Sequence, residues 1–287
     1  MKAHSGIIVL VVIVFLVSLG ILSSCESLRS RTSKNVRAME KEQTPSATMM
    51  RVITEKDIES LPPVVRQYLA YSGVVGKVPV QRVRMRQKGR MKTSLAAEWR
   101  NFTAEEYYTV NPKSFVWLGT FPIVWPISIQ AIDRFSDSHG SLTVRLSPFC
   151  TIADSSGNKF DVSEFIRFFN EMTWFPSSLL DPRITWEDLG SSQAKATLHD
   201  QGQEASAILS FGPKGELLSW VTDDRYAQID GKLIKARWTT AMELGDVIEV
   251  AGYRIPSSLL IPYFKNGKGV GDHRPAVGIS TLYLRAR

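Results

Sequence analysis

The hydrophobic period changes once along this chain, and that change constrains the fold more than any other feature. In LPPVVRQYLAYSG (61–73), Leu61, Val64, Val65, Tyr68 and Leu69 recur at helical spacing, with Pro62 and Pro63 near a start and Gly73 as a stop. Thr54 followed by Asp57 is an N-cap pattern just upstream. From Val80 onward the period is 2. In QRVRMRQKGRMK (81–92), Arg82, Arg84, Arg86, Lys88, Arg90 and Lys92 alternate with Val83, Met85, Gln87, Gly89 and Met91. Alternate side chains of a strand leave opposite faces. The stretch therefore predicts a strand with a semi-apolar inner face and a basic outer one.

The same reading predicts strands at 80–92, 95–109, 114–120, 123–132 and 141–147. A second set falls at 183–189, 193–200, 203–211, 216–224, 233–244, 247–254 and 277–285. Short turn signals separate many of them, as at Asn111-Pro112, Ser155-Ser156-Gly157-Asn158, Gln201-Gly202 and Asp230-Gly231. NGKGVG (266–271) lacks the Lys-Ser or Lys-Thr pair of a phosphate loop and reads as a hairpin turn. Short connections imply antiparallel pairing. A second helix is expected over 160–172, where Phe165, Phe168, Phe169 and Met172 form a stripe that should pack on the sheet. The expected class is α+β: a large, curved, half-open barrel-like antiparallel sheet with a few packed helices. One domain is expected over 54–287.

The first residues set the expected location. IIVLVVIVFLVSLGIL (7–22) carries no charge and is followed by Ser23-Ser24-Cys25. A hydrophobic run ending in Leu, two small residues and Cys resembles the lipobox of bacterial lipoproteins. That resemblance implies that 1–24 is a signal peptide and Cys25 the lipidated, palmitate-bearing residue of a cell-envelope protein. Glu26, in place of aspartate, is compatible with the outer membrane. The alternative is an uncleaved single-pass anchor, for which Arg29, Arg31, Lys34 and Arg37 would pull the following chain into the cytoplasm. Residues 25–53 are polar and of mixed charge, and read as a tether.

Composition narrows the function classes. Of 287 residues, 44% are hydrophobic and 22% charged, enough for a sizeable core, and the formal net charge of +7 favours anionic partners. The outer cations of 81–92 read first as a solvated face paired with Glu98, Glu105 or Glu106, and second as a surface docking on anionic lipid or polymer. Nucleic acid is not expected, because no stacking aromatic interrupts the stretch. No histidine pair or CxxC has metal-ligand spacing and no GxSxG is present, so no metal, cofactor or catalytic residue is assigned. With Cys25 lipidated, Cys150 stands alone and is expected to be a buried small hydrophobe. An envelope hydrolase using Glu171, Asp223 or Asp224 is the enzymatic alternative.

The leading expectation is binding of a lipidic or hydrophobic ligand without chemistry. Its candidate lining is Trp117, Trp125, Phe168, Trp174 and Phe175, with Arg167, Glu171, Asp224 and Arg225 toward a polar headgroup. Several stretches in order, LPPVVRQYLAYSGVVGK (61–77), the basic strand to Gly89, FVW (115–117), IRFFNEMTWFPSSLL (166–180), DDRY (223–226) and GYRIP (252–256), resemble a family of bacterial membrane-associated proteins with no assigned function. Phe168 and Phe169 depart from that family's more usual Arg-Tyr-Leu wording while keeping an apolar face. The expected architecture is also similar to the half-open barrels of periplasmic lipoprotein carriers. That likeness implies shelter for acyl chains, although fold alone does not fix function.

Overall fold

A computed structural model describes residues 28–42, 51–91, 97–229, 232–242, 245–259, 263–265, 268–270 and 277–285. The hydrophobic run 7–22, Cys25 and Lys92 lie outside the described residues. Among the described residues no helix is long and apolar enough to cross a membrane.

The period change after residue 73 is where helix gives way to sheet. Short helix α2 (Glu55–Ile58) is preceded by Thr54, whose backbone N–H and hydroxyl both donate to the Asp57 carboxylate at 2.7 and 2.8 Å. Helix α3 (Pro63–Tyr71) follows and buries Val64, Val65, Tyr68 and Leu69, the residues whose spacing predicts it. Six strands then run as consecutive antiparallel neighbours: β1 (Arg82–Met91), β2 (Arg100–Thr109), β3 (Ser114–Val124), β4 (Ile127–Ser136), β5 (His139–Ser147) and β6 (Cys150–Ser156). Val83, Met85 and Gln87 of β1 are buried, while Arg84, Arg86 and Lys88 are exposed, as the alternation requires.

After helix α4 (Asn158–Glu171) come β7 (Ile184–Asp188), β8 (Gln193–Asp200), β9 (Gln203–Phe211) and β10 (Leu217–Thr222). They are followed by β11 (Tyr226–Ile229), β12 (Lys232–Lys235), β13 (Trp238–Ala241), β14 (Val247–Val250) and β15 (Tyr253–Pro256). Short strands β16 (Ser258–Leu259), β17 (Tyr263–Lys265) and β18 (Lys268–Val270) lead to β19 (Val277–Arg285). The large sheet has eight strands in the order β16-β19-β1-β2-β3-β4-β5-β6 and does not close into a barrel. A second sheet of five runs β13-β10-β9-β8-β7.

Helix α4 packs between the two sheets. Phe165 and Phe168 meet Phe135 and Tyr108 of the large sheet, and Phe169 meets Trp220 of the second. Its stripe therefore serves two sheets rather than one. The approach is close because Gly140 on β5 has no side chain. A Cβ there would stand 2.5 Å from the Phe160 carbonyl oxygen, and its N–H donates to Asp161 at 2.7 Å.

Three readings need correction. Residues 28–42 of the expected tether form helix α1 (Leu28–Glu42), whose Leu28, Val36 and Met39 pack on Val116, Leu118 and Ile132 of the outer sheet face. Three apolar residues among charges gave too weak a stripe to read. The single strand expected over 247–254 is the hairpin β14–β15, because Ala251 and Gly252 both take positive φ, +51° and +73°. Cys150 is exposed rather than buried, since it opens β6, which forms an edge of the large sheet.

Candidate functional site

Register on the inner sheet face builds the most unusual feature of the molecule. Glu106 on β2 lies opposite Trp117 on β3, and Trp117 lies opposite Asp133 on β4. One row further along are Ala104, Gly119 and Ala131. That small row leaves space for the Trp117 indole, which lies so close over Gly119 that a Cβ there would stand 2.1 Å from it. In this position the Trp117 N–H donates to Gln87 Oε1 at 2.7 Å, and Gln87 Nε2 donates to Glu106 at 2.6 Å.

From α4, Arg167 reaches down onto this row. Its guanidinium donates to Glu106 at 2.6 Å, to Asp133 at 2.5 Å and to Glu171, one turn along the helix, at 3.0 Å. Glu164 stands 4.0 Å away. The Phe115 and Trp117 rings lie beside the guanidinium, 4.8 and 5.4 Å from centroid to Cζ. Tyr108 closes the cluster by donating its hydroxyl to Glu171 at 2.5 Å. Half-buried Arg225 stacks on Trp238 at 3.9 Å and adds its charge to Glu164 and Asp133.

Burial decides the protonation of this cluster. It pushes the Glu106 carboxyl up to about 8, with the Glu171 charge adding to the effect and Arg167 opposing it. Burial and then the Asp133 charge push Glu164 up to about 8. Asp133 is raised by burial, against Arg167 and Arg225. For Arg167 burial opposes the charge, but the four carboxylates outweigh it and hold the guanidinium well above its ordinary value. Protons on Glu106 and Glu164 reduce the negative charge that a dry interior must hold around the guanidiniums. They also provide a donor where Glu164 Oε2 and Asp133 Oδ1 are buried with no hydrogen bond.

A second feature is open. A cleft of about 550 Å³ is floored by Ile53, Val80, Val110 and Leu180, with Arg51, Asp57, Asp181 and Arg183 around it. Arg51 is held by Asp57, and Arg183 by Asp181 and Asp200, both at 2.8 Å. Lys113 is almost fully buried and donates to Asp181 at 2.6 Å. Burial would raise the Asp181 carboxyl, but hydrogen bonds from Arg183 and the Lys113 charge bring it down to about 2. Each arginine at the mouth is thus already matched by an aspartate, and the cleft offers an apolar floor with no spare charge.

The structure gathers Trp117, Arg167, Glu171 and Arg225 into the buried cluster. Phe168, Trp174 and Phe175 are fully buried; Phe168 and Phe175 pack on Tyr108, filling the space between sheet and helix that the sequence reading gives to a ligand. Trp125 is 93% exposed at the β3–β4 turn and lines no interior. Asp223 and Asp224 are surface partners of Arg237 and Lys235. Of the basic stripe, Arg84 and Arg86 pair with Glu105 at 3.2 and 3.7 Å, Arg82 donates to the Glu40 carbonyl of α1, and Arg90 lies over Trp99. Lys88 is exposed. Sequence reasoning missed Asp133 and Glu164, and it read Glu106 as an outer partner of the basic strand, whereas that side chain points inward to Arg167. The signal was present for Glu106 and Asp133: each breaks an inward apolar alternation, Phe102-Ala104-Glu106-Tyr108 and Ala131-Asp133-Phe135. Among the described residues no cluster of His, Cys, Asp or Glu is arranged to hold a metal ion.

Residues 51–268 match the model of a family of unknown function, DUF6544. A search of curated proteins finds no match. The crystal structure of a DUF1329 family protein from Desulfovibrio piger aligns with a TM-score of 0.39 at 10% identity, covering 77% of this chain and 91% of that one.

Proposed function

The chain belongs to DUF6544, a family of unknown function, and for this member we propose a membrane-anchored, extracytoplasmic domain that binds an uncharged amphipathic or lipidic molecule without covalent chemistry. The observation that carries the reading is the cleft of about 550 Å³ with its apolar floor and internally neutralised mouth. Its volume suits a small ligand or part of an acyl chain. Because Arg51 and Arg183 are already paired, a free anion gains little there. The anchoring part of the reading rests on the run 7–22 and on Leu22-Ser23-Ser24-Cys25. An open sheet wrapped against a helix, the arrangement of lipoprotein carriers, is consistent with it by analogy.

Native mass spectrometry of the full chain extracted from its own membranes tests the ligand. The expected result is a bound mass that disappears in Leu180→Trp, which fills the cleft. Recovery of empty protein alone would overturn the binding reading. Intact mass and palmitate labelling, with Cys25→Ala as control, test the anchor separately.

A second reading has one observation in its favour: Glu106 and Glu164 hold protons to about 8 beside an arginine, as a general acid requires. Of the acids expected for it, Glu171 lies in this cluster, whereas Asp223 and Asp224 are on the surface. Hydrolytic turnover abolished by Glu106→Gln, with folding intact, would favour it. A protein inert toward ester and glycoside substrates would remove it.

A further inference from the structure

The two ends of the large sheet are built differently. At one end, the β2–β3 and β4–β5 connections are polar, Asn111-Pro112-Lys113 and Asp137-Ser138, with Asp137 and Ser138 at φ +53° and +64°. At the other, the β3–β4 connection is embedded in FPIVWPI (121–127), and the β5–β6 connection carries Pro148 and Phe149. Pairing of Ser128 with both Pro122 and Ser147 sets these two turns side by side. Ile123, Val124, Trp125, Phe149 and Ile152 are all about half exposed or more. Solvent-facing turns favour Gly, Asn, Asp and Ser, and a run of exposed apolar residues is costly unless something covers it.

The charge around this end is also one-sided. Met91 pairs with Arg100, which places the outer ends of β1 and β2 beside the apolar turns. Lys88, Arg90 and Arg100 stand here, with Glu98 as the nearby acid. Exposed tryptophan flanked by basic residues is the composition of a surface seated at a membrane interface.

Helix α1 points to the same end. Its Val36, Met39 and Glu40 share a groove with Arg82, Val83 and Thr109, whereas Arg29, Thr32 and Ser33 share one with Lys88, Thr103 and Thr120. The helix therefore starts toward the apolar turns. Thr120 is four residues before Val124, roughly 13 Å along the strand. Cys25 is three residues before Leu28, a covalent reach of about 10 Å. The first described residue, Leu28, thus lies toward the same end of the sheet as the exposed turns.

We propose that the β3–β4 and β5–β6 turns, with Ile123, Val124, Trp125 and Phe149, insert into the anionic bilayer that holds the N-terminal segment, fixing the sheet upright on the membrane. This rests on the anchoring part of the function proposed above. The opposite sheet end, with Val110 and Asn111 lining the ligand cleft, then faces away from the surface.

The test is reconstitution of the full chain into vesicles of equimolar phosphatidylcholine and phosphatidylglycerol, with and without brominated acyl chains. Flotation reports anchoring. The difference in bromine quenching between the wild-type chain and Trp125→Phe reports insertion. Flotation with a quenched Trp125 component, weaker in pure phosphatidylcholine, is the expected result. Flotation with an unquenched, water-exposed Trp125 would overturn the insertion and leave the anchor standing. Failure to float would overturn both. Equal quenching in pure phosphatidylcholine would overturn the assignment of anionic headgroups.

Discussion

Glu105 and Glu106 are neighbours in sequence and share a strand, yet they sit in opposite physical regimes. Glu105 faces outward among Arg84 and Arg86; burial would raise its carboxyl, but hydrogen bonds from Tyr107 and Arg84 and the two arginine charges together hold it below the ordinary value. Glu106 faces inward with a shorter contact to its own arginine, and its carboxyl is nevertheless raised to about 8. The difference is solvent. A guanidinium 2.6 Å away does not repay the loss of water when a second carboxylate, Glu171, shares the same cation. The same pairing of residue types is a solvated ornament on one face and a proton-holding clamp on the other.

Breaking the inner network should have the largest effect. Arg167→Met leaves Glu106, Asp133, Glu164 and Glu171 buried without their shared cation. Removing one partner of a buried ion network costs about 3–5 kcal/mol. Urea unfolding of the variant should show that loss; an unchanged midpoint would mean that the cluster is far wetter than its geometry indicates. Next is Gly119→Ala, which pushes the Trp117 indole off the sheet and with it the Gln87 bridge to Glu106. Overpacking of this kind costs about 1–3 kcal/mol, and thermal unfolding together with Trp117 emission would follow it.

How much of this was legible depended on whether neighbours in sequence or neighbours across strands decide the outcome. The strands at 193–200 and 203–211 and the helix at 62–72 are set by local period and turn residues, and the structure has them as β8, β9 and α3. The inner cluster is set by register, which one chain does not display: nothing near Arg167 in sequence announces that Glu106 and Asp133 flank the same tryptophan. Aromatic residues read as cavity lining fill the core instead, because the sequence shows their apolarity but not the volume left over after packing. Trp125 illustrates the converse. Its apolar surroundings in sequence suggest an interior, yet it stands at a hairpin tip where strand pairing ends.

The pH dependence gives the comparison its sign. Glu106 and Glu164 rise from an ordinary 4.5 to about 8 on folding, so between those values the folded chain binds protons that the unfolded chain has lost. Their contribution is fully present below about pH 4.5 and is lost as pH rises through about 8. Each proton contributes a slope of at most about 1.4 kcal/mol per pH unit. Glu164→Gln keeps the uncharged form and should flatten its share of the decline. A decline of unchanged steepness in that variant would assign the protons elsewhere.

The smallest effect is expected outside. Glu105→Ala removes the partner of Arg84 and Arg86, but exposed pairs of this kind are worth under about 1 kcal/mol and are screened by salt. The sign is opposite to that of Glu106, because a lowered carboxyl contributes stability above about pH 4.5 and loses it as the solution is acidified. A double-mutant cycle on Arg84 and Glu105, run at low and high salt, should return a small coupling that fades with salt. A coupling of several kcal/mol that salt leaves unchanged would place this pair in the same dry regime as Arg167 and Glu106. The two faces of β2 would then no longer differ in their access to water.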